Sequence, residues 1–227
     1  MCFSATASFT AAAVLIPAGV YSINQSRLLD KPYWAFAMLP LLFGVQQLIE
    51  GGLWLSLQDS RAEQAHILAL CFMLFSHVIW LGWVPYSAYL TEEAPKLKRN
   101  FSSLAIFGVL FGLTMYVPLL MNEDWLTVSI VRHSIHYQPY FIFDAWVSQD
   151  FVTVIYACIL LIPLILSSDP YHRMLGVLLF LSGLVTGAFF EWAFVSVWCY
   201  FASIVSLYIF LVIYRSVSVV KVSGTTP

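Results

Sequence analysis

Long apolar stretches separated by short polar segments organise the chain. Seven of them approach the roughly 20 apolar residues that a helix needs to cross about 30 Å of hydrocarbon. They cover residues 8–24, 34–57, 65–90, 101–120, 151–166, 173–191 and 195–215. The pattern predicts an all-α integral membrane fold with seven transmembrane helices. Six or eight helices remain alternatives, because the first and fifth stretches are short and the last two share an inferred boundary.

Two further segments complete a single predicted domain over residues 1–227. Residues 122–150 form the one long connection, in which Leu126, Val128 and Ile130 alternate with polar residues. A connection of this length in a compact protein is usually functional, so we expect an ordered lid there. Residues 216–227 are predicted to be a tail that follows the last helix on the cytoplasmic side.

Basic residues indicate the orientation of the seven predicted helices. Eight of the ten Lys and Arg residues fall on one side: Arg27, Lys31, Lys96, Lys98, Arg99, Arg173, Arg215 and Lys221. Arg61 and Arg132 fall on the other side. Cytoplasmic loops carry the excess of positive charge in membrane proteins. The distribution therefore predicts an external N-terminus, an external lid and a cytoplasmic C-terminus.

Composition excludes several classes of protein. The 227 residues are 61% hydrophobic and 10% charged, whereas soluble domains have roughly 45–50% apolar and about 25% charged residues. The net charge of −2 provides no basic surface for nucleic acid. No glycine-rich phosphate loop is present, so no nucleotide is expected, and the last predicted helix has no Lys to carry retinal. Membrane lipids are the expected surroundings.

Polar residues inside the predicted helices are the candidate functional residues, because ionisable groups in a bilayer are costly and usually have a role. Glu50 lies about 10 Å from the outer end of the second helix, and Gln46 and Gln47 share its face. His77 lies near the middle of the third helix. His66, eleven residues earlier, returns to nearly the same helical face.

More polar residues fall at the predicted outer end. Glu191 ends the sixth helix, while Ser196 and Cys199 open the seventh. His133 and His136 lie in the predicted lid. Because neighbouring helices run in opposite directions, these residues are predicted to lie in the outer half of the membrane. The polar face of the second helix, with Gln46, Gln47 and Glu50, is predicted to lie there too. The sequence therefore predicts a polar cavity that opens to the external side.

Three interpretations of this cavity stay open. The polar side chains can simply hydrogen-bond one another and hold the helices together. A second interpretation is a divalent transition-metal site in which Glu50, His77 and Glu191 are ligands. A lid histidine, His136 or His133, would complete it; such ligands suit Zn above all, with Fe, Mn or Cu as alternatives. The third is a proton or ion relay through Glu50 and His77.

The N-terminus offers a further candidate. Removal of Met1 would leave Cys2 with a free α-amine, with a pKa near 8, beside its thiol. That pair can act as a nucleophile with an internal base, or bind a soft metal. Alternatively, Cys2 and Cys199 are both predicted at the oxidising outer surface, where they can form a disulfide.

Several motifs resemble an uncharacterised family of bacterial multi-pass membrane proteins. They are residues 1–5 (MCFSA), 7–9 (ASF), 39–43 (LPLLF), 46–51 (QQLIEG) and 196–199 (SVWC). The resemblance implies a bacterial inner-membrane protein and no particular activity.

Together these observations predict a metal-dependent hydrolase or oxidoreductase acting on a lipid-like or small amphiphilic substrate. Cys2 and Glu50 are the candidate catalytic residues. The remaining polar residues of the predicted cavity are Ser4, Gln46, Gln47, His66, His133, Ser196 and Cys199.

The alternative is a non-enzymatic transporter, sensor or binding protein that uses the same cavity. Glu50 and His77 would then carry ions or protons. Gly183 and Gly187 would allow close approach of the sixth helix to a neighbour.

Overall fold

The computed structural model describes residues 4–143, 146 and 148–223, which form a bundle of α-helices with one β-hairpin. The helices are α1 (Ala5–Ser26), α2 (Trp34–Ala37), α3 (Leu39–Gln58), α4 (Ala62–Leu74), α5 (Trp80–Thr91), α6 (Pro95–Met121), α7 (Gln149–Ile165), α8 (Pro170–Phe189) and α9 (Phe194–Ser223). The strands are β1 (Leu126–Val131) and β2 (Ser134–Pro139).

Length and composition confirm the predicted membrane helix bundle. Within the described residues, six helical stretches are long and apolar enough to cross a membrane: Ala5–Ser26, Trp34–Gln58, Ala62–Thr91, Pro95–Met121, Pro170–Phe189 and Glu191–Val220. The apolar helix α7 has 17 residues, which at 1.5 Å each span about 25 Å. All seven predicted stretches therefore fall mainly within helices, but α7 is shorter than the hydrocarbon core.

Two helical boundaries differ from the prediction. The predicted helix over 65–90 is interrupted by a π-helical turn, Phe75–Ile79, between α4 and α5. At the other end of the chain, α9 continues to Ser223, so most of the predicted tail at 216–227 is helical. No Gly or Pro occurs between Phe194 and Ser223, and nothing in the local sequence ends the helix earlier.

Glycines on α6 allow it to pack directly on the π-helical turn and on the start of α5. A Cβ atom on Gly112 would lie 2.0 Å from the carbonyl oxygen of His77, and one on Gly108 would lie 2.1 Å from that of Leu81. Only glycine fits at such contacts. Small residues four apart are a common way for membrane helices to approach closely.

The predicted close approach at Gly183 and Gly187 is wrong. A Cβ atom on Gly183 would be 3.4 Å from the Trp198 ring, and one on Gly187 would be 3.9 Å from Phe194. These are ordinary van der Waals separations. Aromatic side chains of α9 fill the space beside α8 and keep the two backbones apart.

Apolar side chains also cover the outward faces of the helices, as in a protein surrounded by lipid. On α6 they form one exposed stripe at helical spacing: Ile106, Leu110, Leu113, Val117 and Leu120. The interior holds large side chains that are almost completely buried, including Phe36, Phe72, Phe101, Leu53 and Met73.

The predicted lid contains an antiparallel β-hairpin. Val131 pairs with Ser134, and the two turn residues, Arg132 and His133, have φ angles of 47° and 62°. Positive φ at both turn positions is typical of a type I′ turn, whose twist matches that of the strands. A fold that contains this hairpin is not purely α-helical.

Loops define two ends of the bundle. The hairpin end contains residues 122–143 and the turn Glu191–Ala193, joined where the Arg132 guanidinium lies 5.0 Å from the Trp192 ring centroid. The opposite end contains residues 27–33, 92–94 and 166–169. There the Lys31 Nζ atom lies 2.8 Å from an oxygen of Glu93.

Candidate functional site

A buried carboxylate on α3 is the centre of the site. The side chain of Glu50 is 1% exposed. Its Oε2 atom accepts a hydrogen bond from Gln47 Nε2 at 3.1 Å, and its Oε1 atom accepts one from Ser196 Oγ on α9 at 2.5 Å. Two of the predicted cavity residues thus meet Glu50: Gln47 from the same helix and Ser196 from α9, which is distant in sequence.

Neighbouring side chains extend this arrangement into a cluster. Trp80 Nε1 on α5 donates to Gln46 Oε1 at 3.1 Å, and the Cys199 thiol lies beside the Gln46 amide. From the hairpin, Tyr137 reaches the interior, where its ring stacks on Phe72 with centroids 4.8 Å apart. We call the set Gln46, Gln47, Glu50, Tyr137, Ser196 and Cys199 the Glu50 cluster.

The Glu50 cluster contains buried hydrogen-bonding atoms without partners. Gln46 Nε2, Gln47 Oε1 and the Tyr137 hydroxyl have none in the part of the chain that the structure describes. Burial, together with the charge of nearby Glu50, raises the pKa of Tyr137 well above its ordinary value, so its hydroxyl remains a donor. Buried polar atoms are nearly always paired. The cluster therefore has the free donors and acceptor that a polar ligand needs.

An apolar cavity borders the cluster. Its lining comes from α3, α5, α7, α8 and α9 and is almost entirely hydrophobic: Leu39, Phe43, Trp80, Val84, Tyr156, Leu160, Leu161, Leu175, Leu179, Trp198, Cys199, Ala202, Ser206 and Ile209. Trp198 and Ile209 are eleven residues apart on α9, so the lining extends about 16 Å along this helix. Trp80 and Cys199 line it and also touch the Glu50 cluster.

His77 lies in a separate environment inside the π-helical turn. Its Nδ1 atom lies 2.8 Å from Ser76 Oγ, and its ring centroid is 5.5 Å from that of Phe141. Tyr156 on α7 donates to the Ser76 carbonyl at 2.5 Å. No hydrogen bond joins His77 to Glu50 among the described residues. π-Helical turns are frequent at functional sites, and this one is followed directly by Trp80, whose indole N–H donates to Gln46 of the cluster.

The predicted metal ligands do not assemble. Glu191 is exposed, whereas Glu50 and His77 are buried. Over residues 4–143, 146 and 148–223, no group of three or more His, Cys, Asp or Glu side chains could hold a metal ion. Glu191 lies in the turn before α9, one helical turn outside Ser196, so its carboxylate remains at the surface.

The lid histidines are also outside the site. His133 occupies the exposed hairpin turn, and His136 lies on the strand face opposite to that of Ile135 and Tyr137. Side chains alternate between the two faces of a strand. The hairpin therefore contributes a tyrosine to the site and not a histidine.

Three remaining predictions have different outcomes. Ser4 is exposed and caps α1 by accepting a hydrogen bond from the Ala7 backbone, so it is a helix cap and not a cavity residue. His66 is half-buried on α4. Cys199 has no disulfide partner among the described residues, and Cys2, the predicted nucleophile and disulfide partner, lies outside them.

A second buried polar cluster, which the sequence did not indicate, joins the loops of the opposite end. Asp169 Oδ1 accepts from the backbone of Tyr171 at 2.9 Å and of His172 at 3.3 Å, and Oδ2 accepts from the Tyr33 hydroxyl. His172 Nδ1 lies 3.4 Å from Thr91 Oγ1. Glu92, Ser167 and Ser168 lie in the same place. We call the set Tyr33, Thr91, Glu92, Ser167, Ser168, Asp169 and His172 the Asp169 cluster.

Ionisation of the Asp169 cluster follows from its hydrogen bonds. Burial opposes the charge on Asp169, but hydrogen bonds from His172 and Tyr33 outweigh it and hold the pKa at about 2. Burial also opposes the charge on Glu92, and bonds from Ser168 again lower the pKa. For Tyr33, burial and the bond to Asp169 raise the pKa. Both carboxylates are therefore charged at neutral pH.

The chain matches the profile of one family, described as a family of unknown function (DUF6629), over residues 1–223. No curated protein and no solved structure matches it. The predicted resemblance to an uncharacterised family is confirmed at this level.

Proposed function

Since the chain belongs to this family of unknown function, its own geometry has to indicate its role, and we propose that it binds a small amphiphilic, lipid-like ligand inside the bundle. The polar head of the ligand would contact the Glu50 cluster, and its apolar chain would occupy the neighbouring cavity. In this proposal the protein is a non-enzymatic transporter, sensor or binding protein.

One observation carries the proposal: the Glu50 cluster, which has buried hydrogen-bonding atoms without partners, shares a residue with the lining of an apolar cavity. Cys199 belongs to both the cluster and the cavity lining, and Trp80, which lines the cavity, donates a hydrogen bond to Gln46 of the cluster. A ligand with one polar end and one apolar end satisfies both at once. A purely polar or purely apolar ligand would leave one surface unfilled, which costs free energy.

The buried atoms without hydrogen-bond partners indicate which polar head the ligand should have. Gln46 Nε2 can donate, Gln47 Oε1 can accept, and the Tyr137 hydroxyl can do either. A head that both donates and accepts, such as a hydroxyl or an amine, matches this set. An amine would also give the buried Glu50 side chain a partner of opposite charge, and a charge without a partner is costly inside a membrane. We therefore expect an amine to bind more tightly than a carboxylate.

The cavity describes the chain of the ligand. The cavity is narrow, with a volume of about 40 Å³. A narrow cavity whose lining extends about 16 Å along α9 suits a single flexible alkyl chain better than a fused ring system. Cavities lined by apolar side chains bind apolar groups.

The proposed membrane placement keeps all seven predicted helices and puts the hairpin end on the external side of a bacterial inner membrane. The basic residues support it, since Arg27, Lys31 and Lys98 all belong to the opposite end. A reporter enzyme active only in the periplasm tests the prediction. Fused after residue 227 it should be inactive, whereas inserted between Arg132 and His133 it should be active.

Filling the cavity tests the ligand proposal. The protein, purified in detergent, is incubated with hexadecylamine, hexadecanol or palmitic acid, and retained ligand is measured by native mass spectrometry. Ala202 lines the cavity and is 6% exposed, whereas Ile204 on the same helix faces outward and is 47% exposed. We expect Ala202→Phe to reduce retention of hexadecylamine at least about tenfold and Ile204→Phe to leave it unchanged.

A second variant keeps the test decisive if Ala202→Phe unfolds. Leu160→Ala enlarges the same cavity and should shift the preferred alkyl chain to a longer one. Equal retention by Ala202→Phe and Ile204→Phe, or an unchanged chain preference in Leu160→Ala, would contradict the proposed site. Chemical conversion of a retained ligand would instead show that the protein is an enzyme.

A further inference from the structure

A second apolar surface lies on the outside of the bundle, between α5 and α6. This groove is lined by Val78, Ile79, Gly82, Trp83, Tyr86, Ala105, Ile106, Val109 and Leu110. Its volume is about 460 Å³. None of its residues belongs to the Glu50 cluster or to the internal cavity, so it is independent of the proposed function.

Aromatic side chains mark where the groove reaches the opposite end. Tyr86, in the groove wall, has its ring centroid 6.1 Å from that of Tyr89 and 6.0 Å from that of Trp34. Trp83 also packs on Trp34, at 5.9 Å. Trp and Tyr concentrate where the hydrocarbon meets the headgroups, so this end of the groove lies at headgroup depth.

Basic residues lie next to these aromatic side chains, at the same end of the groove. Lys98 Nζ lies 5.3 Å from the ring centroid of Tyr89. Lys98 is seven residues before Ala105 on α6, which places it on the same face two turns away, about 10 Å along the axis. Lys96 and Arg99 lie in the same first turns, and the N-terminus of α6 adds a partial positive charge.

The acidic residues near this positive charge already have partners. Glu93 pairs with Lys31 at 2.8 Å. Glu92 accepts hydrogen bonds from the Ala94 backbone at 2.9 Å and the Ser168 backbone at 2.9 Å. In the described part of the chain, no salt bridge involves a basic residue of α6. The positive charge at the Lys98 end of the groove is therefore available to an external anion.

We infer that the α5–α6 groove binds a phospholipid with an anionic headgroup. One acyl chain lies along Val78, Gly82 and Val109, and the phosphate contacts Lys98 and the N-terminus of α6. Basic residues beside membrane helices attract anionic lipids with about 1 kcal/mol each near the surface, a factor of about five in affinity. The match between an apolar groove and an adjoining basic end favours a lipid over a free anion.

The experiment compares two lipids that differ only in headgroup charge. Phosphatidylglycerol and phosphatidylcholine with identical acyl chains are titrated onto the full-length protein in neutral detergent, and bound lipid is counted by native mass spectrometry. We expect at least about fivefold tighter binding of phosphatidylglycerol. Lys98→Gln should remove most of that preference, whereas Arg215→Gln, which removes an exposed charge on α9, should preserve it.

A groove variant separates the acyl-chain contact from the charge. Ala105→Phe narrows the groove and should weaken both lipids, while Leu113→Phe, on the exposed face of α6 outside the groove, should weaken neither. Should Ala105→Phe fail to fold, raising the salt concentration provides the second measurement, since the phosphatidylglycerol preference should fall. Equal binding of the two lipids, or equal effects of Lys98→Gln and Arg215→Gln, would overturn the inference.

Discussion

The Glu50 and Asp169 clusters are both buried, but they differ in how completely their polar atoms are paired. Glu92 accepts hydrogen bonds from two serine hydroxyls and three backbone N–H groups. Asp169 caps α8 and also holds Tyr33. By contrast, Gln46, Gln47 and Tyr137 each leave an atom unpaired around Glu50.

The difference separates a structural role from a binding role. Carboxylates whose hydrogen bonds all come from neighbouring loops hold those loops together and have little left for a ligand. In the Asp169 cluster the buried atom without a partner is His172 Nε2, whose ring packs 4.3 Å from Phe36. The Glu50 cluster has donors and an acceptor free on three side chains, so it is the better candidate for binding.

The largest predicted effect is on stability at the opposite end. Asp169→Ala should lower the free energy of unfolding by about 3 kcal/mol, because it leaves Tyr33, His172 and the first turn of α8 without their acceptor. Thermal unfolding in detergent measures the loss. Asp59→Ala, which removes an exposed carboxylate, should change stability by less than about 0.5 kcal/mol. Similar melting temperatures for the two variants would contradict the structural role proposed for Asp169.

An intermediate effect is expected from pH. Because the pKa of Asp169 is lowered to about 2 in the folded protein, its stabilisation is complete above the ordinary value of 3.8 and is lost as pH falls toward 2. The melting temperature of the wild type should therefore drop between pH 4 and pH 2. Asp169→Asn should show a smaller drop over the same range, and an identical drop would contradict the assignment.

The smallest stability effect should come from Glu50. In Glu50→Gln the new amide oxygen can still accept from Ser196, and the Gln47 side chain can turn its unpaired Oε1 toward the new N–H group. We expect stability to change by less than about 1 kcal/mol, while retention of hexadecylamine falls about tenfold. A large loss of stability with unchanged retention would reverse the roles of the two clusters.

Part of the site could be predicted because it follows from helical spacing. Gln46, Gln47 and Glu50 share a face at any position of α3, and Ser196 opens the helix that follows an outer turn. Tyr137 and Trp80 were missed. The alternation of Ile135 and Tyr137 in the lid was the signal that could have identified Tyr137 as an inward-facing residue.

Apolar patterning by itself determined the helices and their order, since membrane hydrocarbon demands long apolar segments whatever their neighbours are. Short sequence motifs, such as residues 1–5 and 46–51, indicated the family. Only the tertiary structure decided which polar residues meet. Asp169 and His172 lie in a short segment that reads as ordinary loop, and they are buried because three loops converge on them. Glu191 lies outside the site because one helical turn places it at the surface. Burial of a polar side chain depends on neighbours that are distant in sequence, and the local spacing of residues does not identify those neighbours.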